Sequence, residues 1–482
     1  MNRSDAVPRD ISARVLRALR RRKPLWRLLG TFCRAVDKAG GELHLAGGIV
    51  RDLAEGKPGN DIDLMVAGVG FERLDAILRS LPARTLGIRR ILPVGKAFAV
   101  YKVRTSWTEV ELDVALARTE RSTGPGHRQF RVRTRNVEAR DDAGRRDFTI
   151  NSILFSFRME KGRLTGAVVD FFGGLADLRR KVIRGVGNPE DRFREDPLRM
   201  LRAIRQKNER KGYSIERKTW AAIRRVAPGF LRTIPGERVI NELLRSLSAD
   251  PVRTVEDLRR AGILPLILPE IRGMRKDAVA RIKRRYAVLE KLLGRPLPES
   301  LLAANLLVDY AEAECRRRIR DAGRKMHGRG LMSMGGGQEG LLFRLPRTDG
   351  IARRLNLPRV RSVVRMLEDL GRLHHIRRAK NRRARVEAIF GRWETTEPLL
   401  ALGEAATRAA GRKAARFLDV LCVAARRPPL LSGRRLLEMG IPAGPGMEAI
   451  LEEVREATLS GNIATAGEAE DLALRIFRRH RR

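Results

Sequence analysis

Cysteine is scarce in this chain. The three present, Cys33, Cys315 and Cys422, lie far apart with no paired spacing. That excludes a disulfide framework and a cysteine-ligated zinc site, and it fits a reducing compartment. No apolar run approaches the roughly 18 residues that a membrane span needs. The N-terminus lacks an apolar signal core. Residues 11–23 are arginine-rich in the manner of a transit peptide, but Asp5 and Asp10 argue against one, so the expected location is the cytoplasm. Acidic residues are also few: 57 Asp and Glu face 100 Lys and Arg, a net charge of +43. An excess of that size gathers polyanions, and nucleic acid is the expected partner. The arginines are scattered rather than blocked, so charge alone does not separate RNA from DNA.

What is present supports ordinary globular cores, with 43% hydrophobic residues in 482 and hence two or more domains. Residues 10–39 carry helical periodicity through Ile11, Val15, Leu16, Leu19, Leu25, Leu28, Leu29 and Phe32. From 41 to 158 the pattern turns strand-like, with candidates at 43–46, 61–66, 97–103 and 109–115 and an amphipathic helix at 71–80. Residues 119–146 are polar and read as a mobile loop beside the site. Beyond about 175 the pattern is almost wholly helical, with helices expected at 196–210, 215–226, 236–247, 252–261, 276–293 and 301–322. Gly335-Gly336-Gly337, within 328–340, is the best linker candidate.

The most informative stretch is 45–66. Leu-Ala-Gly47-Gly48-Ile-Val-Arg51-Asp52 is followed, after a short loop, by Asp61-Ile62-Asp63-Leu64. Strand alternation puts Asp61 and Asp63 on one face and turns Ile62 and Leu64 to the core. Two carboxylates suit Mg²⁺, which is usually held by one or two of them plus substrate phosphates. The glycines let backbone N–H groups approach phosphate oxygens, and Arg51 offers a planar fork of donors. Two-metal chemistry calls for a third carboxylate, and Glu111 and Asp113 share one face of the next strand. Spacing does not choose between them.

Two further segments carry polar groups in suggestive order. Arg145-Arg146-Asp147-Phe148-Thr149-Ile150-Asn151 turns from a charged loop into an apolar segment, with Arg146 and Asp147 candidates for triphosphate and ribose. In 195–206, Pro197 suits a first helical turn. Glu195, Arg199, Arg202 and Gln206 fall on one narrow face, flanked by Asp196 and Arg205, with Met200, Leu201 and Ile204 opposite. An Asp–Arg pair on that face can satisfy the hydrogen-bonding edge of a base.

Taken in order, 45–66, 115–121, 145–151, 170–177 and 188–206 resemble the class II polynucleotide nucleotidyltransferases, the family of bacterial tRNA CCA-adding enzymes and bacterial poly(A) polymerases. The likeness covers residues 41–265. Residues 436–477, with Gly440-Ile-Pro-Ala-Gly-Pro-Gly446, resemble the C-terminal domain that the family uses against tRNA. The resemblance implies an α+β protein, a polymerase-beta-like nucleotidyltransferase head of mixed sheet and helices followed by all-helical neck, body and tail. The boundaries expected are a basic helical extension at 1–40, the head at 41–158, the neck at 159–230, the body at 231–330 and an RNA-binding tail at 331–482.

It also implies roles. Asp61 and Asp63 would hold Mg²⁺, with Asp113 as the third carboxylate. Gly47, Gly48, Arg51, Arg146, Arg202 and Arg205 would bind the triphosphate, Asp147 and Asn151 the ribose, and Asp196 and Arg199 the base. The RNA 3′-hydroxyl would attack the α-phosphate in line, one metal favouring its deprotonation and the other stabilising the leaving pyrophosphate. The expected activity is template-independent addition of CCA, or part of it, to tRNA 3′ ends from CTP and ATP. A poly(A) polymerase, an enzyme adding only C or only A, and a non-catalytic RNA-binding homologue are the alternatives. Neither a membrane nor DNA is an expected partner. The segment 94–100 is less basic than in poly(A) polymerases, which favours tRNA. Val308 stands before Asp309 where many relatives carry the histidine of a phosphohydrolase His-Asp pair, so no phosphohydrolase activity is expected.

Overall fold

The computed structural model describes residues 9–59, 61–94, 100–108, 111–122, 130–134, 137–232, 234–269, 277–325, a few positions in 348–368, 430–442, 444–459, 463 and 465–480. The glycine linker candidate at 328–340 lies outside them. Two compact units emerge, one of residues 1–242 with 257–267 and the other of 243–256 with 268–482.

In the first unit, helices α1 (Arg9–Arg21) and α2 (Lys23–Lys38) precede β1 (Glu42–Ala46), α3 (Gly48–Ala54), β2 (Ile62–Ala67), α4 (Phe71–Ser80) and α5 (Ala83–Leu86). Strands β3 (Ile88–Val94), β4 (Val100–Thr105) and β5 (Leu112–Leu116) come next, then a hairpin of β6 (Thr119–Ser122) and β7 (Phe130–Arg133). After α6 (Ala139–Gly144), β8 (Leu154–Glu160) and β9 (Arg163–Val169) complete a sheet ordered β3-β4-β5-β2-β1-β8-β9. Within this sheet, among the described residues, only β2 and β5 pair in parallel; the other neighbours are antiparallel.

The mixed sheet and its helices accord with the expected α+β class. Burial explains each element. Along β2, Ile62 and Leu64 are buried while Asp63 between them is only partly buried, which is the expected alternation. Asp61 lies one residue before the strand begins.

Four expectations need correction. The sequence reading omitted β3, β8 and β9; burial along β3 does not alternate, whereas β8 does alternate from Phe155 to Glu160. Strand β9 pairs along its whole length with β8, so the head sheet runs past the boundary set at 158. The polar segment 119–146 is not simply a loop: it holds the β6–β7 hairpin and α6, whose first turn is closed by a reciprocal Glu138–Asp141 capping box. Nor do residues 9–38 stand apart as an extension. The apolar stripe of α2 (Leu25, Leu28, Leu29, Phe32, Val36) is buried, and Val168 N of β9 donates to Ser12 Oγ at 3.0 Å.

Helices then dominate: α7 (Gly174–Arg180), α8 (Pro189–Glu195), α9 (Leu198–Glu209), α10 (Arg217–Val226), α11 (Gly236–Ala249), α12 (Pro251–Arg260) and α13 (Leu264–Ile267). Pro189 opens α8 and the Asn188 side chain caps it through Glu190 N at 3.2 Å.

In the second unit, α14 (Ala278–Leu293) packs on α15 (Glu299–Lys325) around a buried polar cluster. Arg285, 2% exposed, donates to Asn305 Oδ1 at 2.6 Å and Asp309 Oδ2 at 2.7 Å, and Arg281 meets Asp309 Oδ1 at 2.7 Å. The Asp309 carboxylate that follows Val308 is thus committed to two arginines. The helices Gly433–Glu438, Pro445–Leu459 and Ala466–His480 close over a small core of Leu436, Ile441, Ile450, Ala469, Ala473 and Ile476. Among the described residues no helix is long and apolar enough to cross a membrane.

Candidate active site

Register assembles the carboxylates. Asp63 of β2 is the direct partner of Asp113 of β5, and Asp113 in turn opposes Lys102 of β4. The Lys102 ammonium lies 3.4 Å from Asp113 Oδ1 and donates to Glu111 Oε2 at 2.8 Å. Asp113 Oδ1 is buried and takes no hydrogen bond. The two acids that spacing could not separate thus differ in setting. Glu111 is held by Lys102 and Arg104, while Asp113 stands beside Asp63. Burial raises the Asp63 carboxyl above its usual range; Asp113 and Asp61 push it the same way, while Arg146 and Lys102 oppose.

Among the described residues no three acidic, histidine or cysteine side chains form a ready metal cage. Magnesium rarely uses one, since substrate phosphates supply much of its shell.

The turn between β1 and α3 explains the double glycine. Gly47 adopts φ +79°, and a Cβ there would fall 2.8 Å from Asp63 Oδ2 and 3.5 Å from Arg146 Nη1. Glycine is therefore required twice over, by backbone conformation and by contact. At Gly48 a Cβ would meet Arg51 Nη2 at 3.0 Å.

Behind this turn runs a continuous polar network. Arg51 Nη1 donates to Asn151 Oδ1, and Arg51 Nε donates to Asp52 Oδ1 at 2.9 Å. Asn151 Nδ2 donates to Asp147 Oδ1 at 2.8 Å and to Gln206 Oε1 at 3.2 Å. Asp147 Oδ2 receives Arg202 Nε at 2.8 Å, and its Oδ1 receives Phe148 N at 2.8 Å. Arg202 and nearby Arg199, with the Asn151 bond, outweigh burial and hold the Asp147 carboxyl down at about 2. Asp147, in turn, raises the Arg202 guanidinium. Arg146 is pinned by Asp142 Oδ2 at 3.1 Å and reaches Asn151 O at 3.4 Å.

The expected site residues divide into two groups. Asp61, Asp63, Asp113, Gly47, Gly48, Arg51, Arg146 and Asn151 come together around the β1–α3 turn. Asp147 is present but buried, with both carboxylate oxygens occupied, so its geometry is that of a group that positions Asn151 and Arg202. Arg205 is also buried and committed to two glutamates, donating to Glu242 Oε2 at 2.5 Å and Glu209 Oε2 at 2.6 Å. Arg199 Nη2 donates to Arg145 O at 2.8 Å, and burial lowers its pKa. Asp196 caps Leu198 N at 3.1 Å and accepts from Arg238 at 3.2 Å.

Residues absent from the sequence reading complete the framework. Glu242 of α11 bridges Arg202 and Arg205, and Asp142 holds both Arg145 and Arg146. Arg210 ties α9 to α3 through Asp52 and Glu55, each at 2.9 Å. No local pattern marks Glu242 or Arg210, whose partners lie tens of residues away, whereas Asp142 precedes its two arginines by three and four residues.

Comparison with known proteins supports the same reading. Residues 43–184 match the "Poly A polymerase head domain" family, and 212–274 match "Probable RNA and SrmB-binding site of polymerase A". A "Multifunctional CCA protein" of Paracidovorax citrulli (strain AAC00-1) is 37% identical over 235 residues, covering 48% of this chain and 50% of that protein. Its counterpart in Xylella fastidiosa (strain M23) is 35% identical over 236 residues, covering 48% and 51%. The chain thus spans about half the length of the curated relatives it matches.

The fold is similar to that of "Thermotoga maritima CCA-adding enzyme complexed with tRNA_CCA", with TM-score 0.62 and 20% identity over 95% of this chain and 98% of that one. It is equally similar to a CCA-adding enzyme solved with CTP, with TM-score 0.62 and 19% identity over 96% of each. The glycine turn, the paired carboxylates and the arginines of α9 all fall in or between the two matched segments, so across residues 43–274 the chain is similar to the poly(A) polymerase head and its RNA-binding region, and to the CCA proteins that share them.

Proposed function

We propose that this protein is a template-independent RNA nucleotidyltransferase that adds CCA, or part of it, to tRNA 3′ ends from CTP and ATP, releasing pyrophosphate, in the cytoplasm. The observation that carries the reading is the pairing of Asp63 with Asp113 beside the Gly47 turn. A binding module would have no use for repelling carboxylates next to a polyanion. Relatives known as multifunctional CCA proteins, and a neighbour of the same fold solved with tRNA, favour tRNA over an unspecified RNA.

Asp61, Asp63 and Asp113 would hold Mg²⁺. The raised Asp63 carboxyl and the Asp113 oxygen that takes no hydrogen bond suit a divalent cation, which relieves their repulsion. When bound, Mg²⁺ neutralises charge at the α-phosphate and the leaving pyrophosphate. The chain's own groups do the rest. Arg51 and Arg146 face the triphosphate from the glycine turn. Asp147 holds Asn151 towards the sugar and fixes Arg202. Asp196 and Arg199 present acceptor and donor to the base edge. Arg205 supports Glu242 and so acts on the triphosphate through Arg202 rather than by contact.

The test is nucleotide addition by the full chain with Mg²⁺, CTP and ATP singly and together, on tRNA ending before, within or after CCA. Stepwise completion of CCA is expected, with Arg199→Ala losing base selectivity and Arg202→Ala losing triphosphate affinity. A long A tail on unrelated RNA would show a poly(A) polymerase. No addition, identical in wild type and Asp61→Ala, would show a binding protein.

A further inference from the structure

One pleat along β4 from Lys102, on the sheet face that carries Asp63 and Asp113, lies a basic cluster that the proposed reaction does not use. Arg90 of β3 is the register partner of Arg104 of β4. Like charges directly opposite on adjacent strands destabilise the pair. The register shifts between Ile88 and Arg90, so Arg89 is an extra, bulged residue, and both Arg89 and Arg90 are exposed. Arg104 Nε meets Glu111 Oε1 at 2.5 Å, whereas no ion pair holds Arg89 or Arg90 among the described residues.

These three arginines, with Thr105, Trp107 and Glu111, line a cavity of about 820 Å³. Trp107 Nε1 donates to Leu86 O at 3.0 Å, which fixes the ring. The Thr105 hydroxyl, 5% exposed as a residue, has no hydrogen-bond partner. Charge on an edge strand does guard against edge pairing, and β3 is an edge. A single cation would serve that purpose; arginine opposite arginine, with a third added by a bulge, calls for an anion.

We propose that the cavity binds a phosphodiester of the RNA strand whose 3′ end reaches Asp63 and Asp113, with Arg89, Arg90 and Arg104 as its donors. The inference rests on the RNA nucleotidyltransferase reading above. Two strand residues, about 7 Å, separate Arg104 from Lys102, which pairs with Asp113. A strand held at the cavity therefore lies within short reach of the carboxylates. Guanidiniums grip phosphate bidentately, and a chain of +43 has the field to bring RNA there.

The experiment compares the full chain with Arg89→Gln/Arg90→Gln. Both side chains are exposed, and removing the Arg90–Arg104 repulsion leaves the melting temperature equal or higher. Steady-state addition to tRNA lacking its CCA should show KM for RNA raised roughly tenfold, with kcat and KM for CTP unchanged. Fluorescence anisotropy with the same RNA across KCl concentrations should show the log–log salt slope reduced by about 1 to 2. Arg90→Gln alone gives about half that change and serves if the double variant misfolds. An unchanged slope and KM for RNA, or a raised KM for CTP, overturns the subsite. If the wild type adds no nucleotide, anisotropy decides alone: a reduced slope upholds the subsite while the transfer reading falls.

Discussion

Replacing Asp147 by Asn is the sharpest single test of the network between head and neck. The change is isosteric and keeps an oxygen for Phe148 N and Asn151, but it sets an amide against Arg202 Nε. Removing one partner of a buried pair costs about 3–5 kcal/mol. Here Arg202 is 35% exposed in its side chain and retains Glu242 at 3.3 Å, which lowers the figure to about 2 kcal/mol.

The titration gives the same order. A carboxyl held at about 2 against an ordinary 3.8 contributes about 2 kcal/mol. Because the folded value is depressed, this stability is present above about pH 4 and is lost as pH falls towards about 2. A thermal melt at neutral pH should therefore drop by about 4–8 °C for a unit of this size. The wild-type melting curve should lose that advantage between about pH 4 and pH 2, where the two proteins converge. A melting temperature within ~1 °C of wild type at neutral pH, or parallel acid limbs, would refute the paired state of Asp147. Addition activity should fall with it, as Asn151 and Arg51 lose their alignment.

Two further outcomes follow from the carboxylates. Asp63 titrates above its usual range, so its charge opposes folding at neutral pH; Asp63→Asn should abolish addition yet melt higher without Mg²⁺. The wild type should gain stability as Mg²⁺ is added and the variant should not, by thermal shift; an equal gain in both would place the ion elsewhere. Gly47→Ala forces a side chain into φ +79°, ψ −152° and against Asp63, costing about 1–3 kcal/mol in backbone strain. Circular dichroism should show a folded protein with addition lost, and full activity would contradict the turn's role.

Sequence alone determined much of the site. Strand alternation put Asp63 opposite in sense to Ile62 and Leu64, and the structure keeps it only partly buried between two buried neighbours. Helix periodicity placed Arg199, Arg202 and Gln206 on one face of α9, and the double glycine announced a tight turn. Those signals are local: period, turn chemistry and charge within a few residues.

Tertiary structure decided what local pattern does not carry. It paired Asp113 rather than Glu111 with Asp63, because register between strands some fifty residues apart is set by sheet order. Spacing within β5 could not show this. It turned Arg205 to Glu242 and buried Asp147 under Arg202, since each needed a partner from a distant helix to offset desolvation. It also added β3 and β9 to the sheet, strands whose bulge or uneven burial hid their period. Residue types and their order thus set the chemistry available, while long-range register and burial decided which carboxylates face the substrate and which arginines hold the frame.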